Sequence, residues 1–238
     1  MRAELLKIRR LPTPALLLAL VLLAPAVAAA IVYIVKPDDP AWYHVAPMTT
    51  AATTCQIAAV VFGVWLIGIE FAQGTLRRAL TAEPRRVHLV LNKLVVVTLV
   101  TLGAAALSAL IAYWLGALAA DLRSVDYDAG TAAKLGVVLV IGTVLVALLS
   151  FALGLLSESL TGGIVLAFAV LFVLNGVLSF VRAIRDYTFG AALDSISDAV
   201  DPDTASALGL WGGIGVALAW VAVLMVPALY RFSRSDFK

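Results

Sequence analysis

The residues with the most chemistry to offer gather in one stretch, EFAQGTLRRALTAEPRRVHLVLNK, residues 70–93. Arg77, Arg78, Arg85, Arg86 and Lys93 make five of its 24 positions basic, and Glu70 and Glu83 add two acids, in a chain that is 63% hydrophobic and 13% charged. Arg77 and Arg78 sit on a turn of helix, where their charge either fixes topology or pairs with an acidic groove on a soluble partner. Truncating one member of such a desolvated pair costs about 2–5 kcal/mol. The stretch is too small for a catalytic domain. The remaining reactive residues are few: His44, His88 and a single cysteine, Cys55. The topology derived below separates the two histidines across a membrane, so they cannot share a metal or a triad within one protomer. Cys55 reads as an apolar packing residue inside a span. No GxxxxGK[ST] phosphate loop is present, so the chain is not expected to hydrolyse ATP itself.

The elements that position this stretch follow from hydropathy. Six runs of eighteen or more residues carry no charge: 14–35, 47–69, 94–120, 135–157, 160–181 and 204–230. About 20 helical residues cross the roughly 30 Å hydrocarbon layer, and a chain in lipid must satisfy its own backbone hydrogen bonds, which makes these runs helices. The alternating ten-residue segments of a membrane barrel are absent. The sequence therefore predicts an all-α integral membrane protein with six transmembrane helices, forming one permease-like domain over 1–238. The start, MRAELLKIRR followed by ALLLALVLLA and PAVAAA, resembles a signal peptide, but the apolar run continues through Val35 as a full span would. Leu5, Ile8 and Leu11 fall on one side of a helix, which suits an interfacial helix over 1–13 lying on the inner leaflet; an ordinary basic flank is the plainer alternative.

Charge orients the spans. The N-terminus, the 70–93 stretch, the 157–159 turn and the C-terminal tail hold twelve Lys and Arg, whereas the opposite loops hold five: Lys36, Arg123, Lys134, Arg182 and Arg185. Basic loops stay cytoplasmic, so both termini and the 70–93 stretch are expected inside. There Gly74 permits a sharp turn, 75–82 can form a short transverse helix with Leu76 and Leu80 on one face, and Glu83-Pro84 stops it and starts the next helix. The outcome is an elbow shaped to fit a groove on a partner. Outside, Leu193, Ile196 and Val200 hint at a small amphipathic helix, and Asp201-Pro202 reads as the N-cap and first turn of the last span. The spans themselves are expected to hold no Asp, Glu, Lys, Arg or His well inside, which argues against proton relays and ion pathways. Motive force must then arrive through another subunit, at a cytoplasmic loop.

Glu70-Phe71, Gly74-Thr75-Leu76-Arg77, Leu80, Pro84, Arg86 and Lys93 together resemble the cytoplasmic signature of ABC-2 type transporter permeases. The resemblance extends to the layout: an interfacial N-terminal helix, six spans, a longer last outer loop and both ends inside. It departs in having otherwise short outer loops, which excludes a large external domain. It implies a permease that pairs with a separate ATP-binding cassette subunit, with ATP and Mg on that partner and no cofactor in this chain. The elbow becomes the coupling helix, and Glu70, Gly74, Thr75, Leu76, Arg77, Arg78, Leu80, Glu83, Pro84 and Arg86 become the residues that meet the ATPase, with Glu158 of the other short inner loop as a second contact. Glu70 alternatively caps or pairs locally, and Glu158, Ser159 or Thr161 alternatively caps the fifth span.

Two further sets are candidates for lining a pathway. Phe168, Phe172, Asn175 and Ser179 recur on one face of the fifth span, and Thr50, Thr53, Thr54 and Gln56 crowd the outer half of the second. Mixed surfaces of this kind suit an amphiphilic cargo; the alternative is packing, because Thr and Ser bond back to their own helix and Asn links helices. Ala205, Gly209, Gly213 and Ala217 form a small-residue ladder on the last span, where another helix can approach closely. The expectation is an ATP-driven exporter permease, with two ATPase copies, a second permease protomer, membrane lipid and no nucleic acid as partners. Its cargo would be a drug, natural product, peptide or lipid. A composition rich in Ala, Val, Leu and Arg suggests a bacterial cell membrane. The competing readings are a non-transporting scaffold or immunity-type sensor, and an intramembrane lipid-modifying enzyme, for which no acid cluster or nucleophile–base pair is visible.

Overall fold

The computed structural model describes residues 12–74, 86–182, 184–200 and 208–234. It is 87% helical and contains no strand among those residues. Six helices are long and apolar enough to span a membrane: α1 (Pro12–Val35), α2 (Trp42–Ala72), α3 (Arg86–Asp121), α4 (Ala129–Ser157), α5 and α7 (Gly209–Arg234). The fifth, α5, runs as an α-helix over Leu160–Phe168, widens into a π-helical turn over Ala169–Leu174 and closes over Asn175–Leu178. A shorter helix, α6 (Phe189–Asp198), lies in the connection between α5 and α7.

All six predicted spans are present, with shifted ends. α2 begins earlier than its uncharged run and takes in His44. α3 begins at Arg86, so the basic flank of the elbow is already helical. α5 ends at Leu178 rather than 181. The shifts of α2 and α3 follow from the rule used to find the spans: a charge ends an apolar run, whereas a helix continues past the lipid core into the polar interface.

α2 and α4 form the centre. In their most apolar windows 67% and 61% of residues are buried within the protein, against 11% for α5 and 22% for α7. α4 packs along α2, α1 and α3 cover one flank, and α5, α6 and α7 cover the other. The main core runs from Phe62, Leu66 and Ile67 of α2 through Leu149, Phe151 and Leu155 of α4 to Phe189, Ile196 and Phe232. A second cluster joins α1, α2 and α3 around Val21, Met48, Cys55 and Ala105. Lipid tails are as apolar as Leu, so helices in a membrane associate by close packing rather than by the hydrophobic effect. Gly63 shows how close: a Cβ there would lie 2.6 Å from the Ala147 carbonyl oxygen of α4.

Short polar devices set the helix ends. Asp128 caps α4, accepting from Thr131 N at 3.0 Å. Ser159 caps α5 through Gly162 N, and Thr188 caps α6 through Ala191 N. Among the candidate caps for the fifth span, the hydroxyl of Ser159 takes that role, and Glu158 sits before it at φ 51° in the left-handed region. Arg123 closes the C-terminal end of α1, donating twice to the Tyr33 carbonyl, at 2.8 and 3.2 Å, while its guanidinium lies 4.0 Å from the Tyr33 ring centre.

Candidate functional site

The C-terminal end of α2 and the N-terminal end of α3 carry the chemistry. Glu70 lies in the last turn of α2, and Lys93 lies about two turns into α3. Their side chains meet at 2.9 Å and are only 2% and 3% exposed, and Lys93 Nζ also donates to the Leu66 carbonyl at 3.1 Å. These two buried charges do not lie well inside a span: each stands just beyond an uncharged run, where its helix continues. An ammonium and a carboxylate can be buried here because each compensates the other; removing one partner of a buried pair costs about 3–5 kcal/mol. Of the local and partner-facing alternatives for Glu70, the structure shows a local ion pair.

The pair brackets the elbow. Gly74 follows α2 at φ +62°, a conformation that glycine adopts without a Cβ penalty. Thr75, Leu76, Arg77, Arg78, Leu80, Glu83 and Pro84 lie outside the described residues, as does the side chain of Arg86, which opens α3. The N-terminal stretch 1–11 and Asp201-Pro202 also lie outside them. Glu158, in the turn between α4 and α5, pairs with Arg231 near the end of α7 at 3.5 Å, with both side chains partly exposed.

The candidate pathway residues do not converge within the chain. Thr50 borders a groove between α1 and α2 together with Ala28, Ile31 and Trp42. Gln56 points the other way, into a cavity of about 100 Å³ lined also by Leu139 and Gly142 of α4 and Leu193 and Ile196 of α6. The hydroxyls of Thr53 and Thr54 bond back to the carbonyls of Thr49 and Thr50, at 2.9 and 2.8 Å. On α5, Phe168 and Phe172 stack with ring centres 5.7 Å apart, and Phe172 is exposed. Asn175 turns away from them. Its Nδ2 donates to the Leu171 carbonyl at 2.7 Å and its Oδ1 accepts from Gly190 N at 3.1 Å, tying α5 to α6. Ser179 donates to the Gly176 carbonyl. The π-helical turn over Ala169–Leu174 lies between Phe168 and the Asn175 and Ser179 positions, so 3.6-residue periodicity does not by itself relate them.

The small-residue ladder of the last span is used within the chain. A Cβ on Gly213 would lie 2.7 Å from the Ala192 carbonyl of α6, and Ala217 is fully buried. Ala205 lies outside the described residues, and Gly209 begins α7 at φ +65°. The amphipathic helix expected from Leu193, Ile196 and Val200 is α6, with Ile196 and Val200 buried.

Outside the membrane the titratable groups answer to local causes. Desolvation pushes the Tyr127 phenol up to about 12, with the neighbouring Tyr113 and Asp128 acting in the same direction; its hydroxyl donates to the Tyr113 carbonyl at 3.0 Å. Asp128 is held below the usual carboxylate range, first by its hydrogen bonds with Thr131. Asp194 of α6 is raised by burial and then by Asp198 one turn on. Among the described residues no cluster of His, Cys, Asp or Glu is placed to hold a metal.

Three residues of this framework were not singled out as site residues by sequence: Lys93 as the partner of Glu70, Arg231 as the partner of Glu158, and Gly190 as the donor to Asn175. A signal existed for the first. Opposite charges facing each other across a short loop between antiparallel spans are placed to meet. No comparable signal existed for the other two, whose partners lie 73 and 15 positions apart in sequence.

No curated protein and no solved structure matches the chain. The family model for the ABC-2 family transporter protein matches residues 1–175, a stretch that runs from the N-terminus through the elbow to Asn175 in α5. Six apolar helices and that match lead to one assignment: the chain belongs to the ABC-2 transporter family, as a multi-pass permease subunit of an ABC transporter.

Proposed function

We propose that this permease is the membrane half of an ATP-driven exporter, powered at the 70–93 elbow by a separate ATPase. Permeases of this family generally work with an ABC ATPase subunit. The observation that carries the reading is that the family match includes the elbow, while the buried Glu70–Lys93 pair ties together the two helices that the elbow joins. The buried acidic or basic side chains among the described residues are His44, Glu70 and Lys93. Two of these neutralise each other at the inner end, and none continues as a chain of ionisable groups through the spans. The reading therefore places the energy source outside this subunit.

In this account two permease protomers enclose a pathway and two ATPases dock below, with ATP and Mg held by the ATPases. Both termini face the cytoplasm of a bacterial cell, as the distribution of Lys and Arg supports. ATP binding closes the ATPases, tilts the elbows and switches access from the inner to the outer side. The cargo is amphiphilic. Exposed Phe172, stacked on Phe168, and the Gln56 cavity beneath α6 offer apolar surface with isolated polar groups.

Purification in mild detergent followed by identification of any co-purifying nucleotide-binding protein tests the partnership. Changing Arg77 and Arg78 together to Glu is expected to leave the permease folded and abolish cargo-stimulated ATP turnover in the reconstituted complex. Unchanged stimulation would refute the coupling role of the pair.

A further inference from the structure

The inner ends of the helices are tied to one another through the last turns of α2. Lys93 Nζ reaches both Glu70 Oε1 and the Leu66 carbonyl, at 2.9 and 3.1 Å, so one ammonium spans a full turn of α2. Gly68, between those two residues, abuts α5: a Cβ at that position would lie 2.9 Å from Leu160 Cα. Phe71, directly after Glu70, meets Phe232 of α7 edge-on with ring centres 6.4 Å apart. Glu158 of the α4–α5 turn reaches Arg231, the residue before Phe232, at 3.5 Å. None of these ties involves α1.

We infer that Lys93 is a positioning residue, clamping the helix that leaves the elbow onto the inner end of α2 so that force on the elbow moves α2, the α4–α5 turn and α7 together. The inference rests on the coupling reading above. Its physical basis is the difference between apolar and ionic contacts in lipid. Apolar helix faces slide past one another cheaply because acyl chains replace the lost contacts. Separating Lys93 from Glu70 instead exposes two charges to a medium of low dielectric, which makes the pair the stiffest link between α2 and α3. If stability alone were at stake, neutral side chains of similar volume would serve as well. An ion pair with a second bond to a backbone carbonyl adds a fixed register, because sliding α3 by one residue breaks both bonds.

This account separates Lys93→Met, which removes the ammonium from the Glu70 carboxylate, from the double variant Glu70→Gln/Lys93→Met, which leaves neutral groups of similar size. Two measurements decide. In nanodiscs holding the permease alone, amide exchange at 66–74 and 86–93 is expected to rise by about tenfold or more in both variants, with 139–155 unchanged. Exchange equal to wild type in the double variant would overturn the clamp. In the complex with its ATPase, on a Cys55→Ser background, spin labels at Asp126 and Ala199 report the outer turns. Trapping with Mg-ATP and vanadate is expected to shift their distance in wild type. The double variant is expected to lose that shift while keeping ATP turnover within about twofold, and Glu70→Lys/Lys93→Glu is expected to regain part of it. A full shift in the double variant would overturn the transmission role. Absence of a shift in wild type would count against the exporter reading, and the exchange measurement would still decide whether Lys93 clamps α3 to α2.

Discussion

Asn175 shows how one side chain can satisfy a packing role that its residue type left open. Its amide donates to its own helix and accepts from the first turn of α6, so both ends of the group are used. Replacing it with Ala leaves the Gly190 N–H without that acceptor, and is expected to lower stability by about 1–2 kcal/mol, read as a lower unfolding midpoint of the detergent-solubilised protein. Phe172, exposed on the same span, is the contrasting case: Phe172→Ala is expected to leave the midpoint unchanged and to reduce movement of an amphiphilic dye by the complex. Equal transport would remove Phe172 from the pathway. In the connection between α3 and α4, Tyr127 makes a pH prediction. Its phenol holds its proton up to about 12, against 10.0 unperturbed. Between those values the unfolded chain has lost a proton that the folded protein keeps. Stability from this group is therefore complete below pH 10 and falls as pH rises toward 12. Tyr127→Phe should remove that dependence in a pH series of unfolding midpoints. Residue types in sequence showed that Glu70 and Asn175 have polar business to conduct. For Asn175 they did not show with whom, because Gly190 is found only once the helices pack; for Glu70 the opposite charge of Lys93 across the loop was the available signal.

Helices were the most legible level. Uncharged runs located all six spans, and the spacing of Leu193, Ile196 and Val200 located α6. Their ends were less legible, because charge marks where an apolar run stops while α2 and α3 continue through polar positions to Ala72 and from Arg86. The π-helical turn over Ala169–Leu174 left no mark in AVLFVL, an apolar string compatible with either helix. The face drawn through Phe168, Phe172, Asn175 and Ser179 assumed 3.6-residue periodicity across that turn. Glycine placement gives this level its own test. Gly63→Ala drives a methyl into the Ala147 carbonyl, forcing α2 and α4 apart, and is expected to cost about 1–3 kcal/mol or more. Gly103→Ala, on α3 with nothing within 4 Å of its Cβ position, is expected to stabilise by about 0.5–1 kcal/mol through helix propensity. Thermal unfolding of the pair checks both, and equal midpoints would mean that the α2–α4 contact is looser than described.

At the scale of the molecule, burial is uneven in a way that fits a subunit of something larger. α2 and α4 are enclosed, whereas α5 is mostly exposed, with Phe172, Val173, Val177 and Phe180 outward. In a permease such a surface faces lipid, a second protomer or the cargo route. The end of the helices beside residues 70–93 is organised differently, with ties to the last turns of α2 and between the α4–α5 turn and α7. Cargo was not legible at any level, because the cavities and grooves are mainly apolar and carry few polar groups to select one molecule over another. The central claim is that this lipid-embedded subunit has no motive force of its own and receives it at the elbow. The most direct measurement is uptake of a fluorescent amphiphile into inverted vesicles carrying either the chain alone or the chain with its co-purified ATPase, with and without Mg-ATP. Accumulation only with both ATPase and Mg-ATP, abolished by Arg77→Glu/Arg78→Glu, is the predicted result; uphill accumulation by the chain alone in the absence of nucleotide would contradict it.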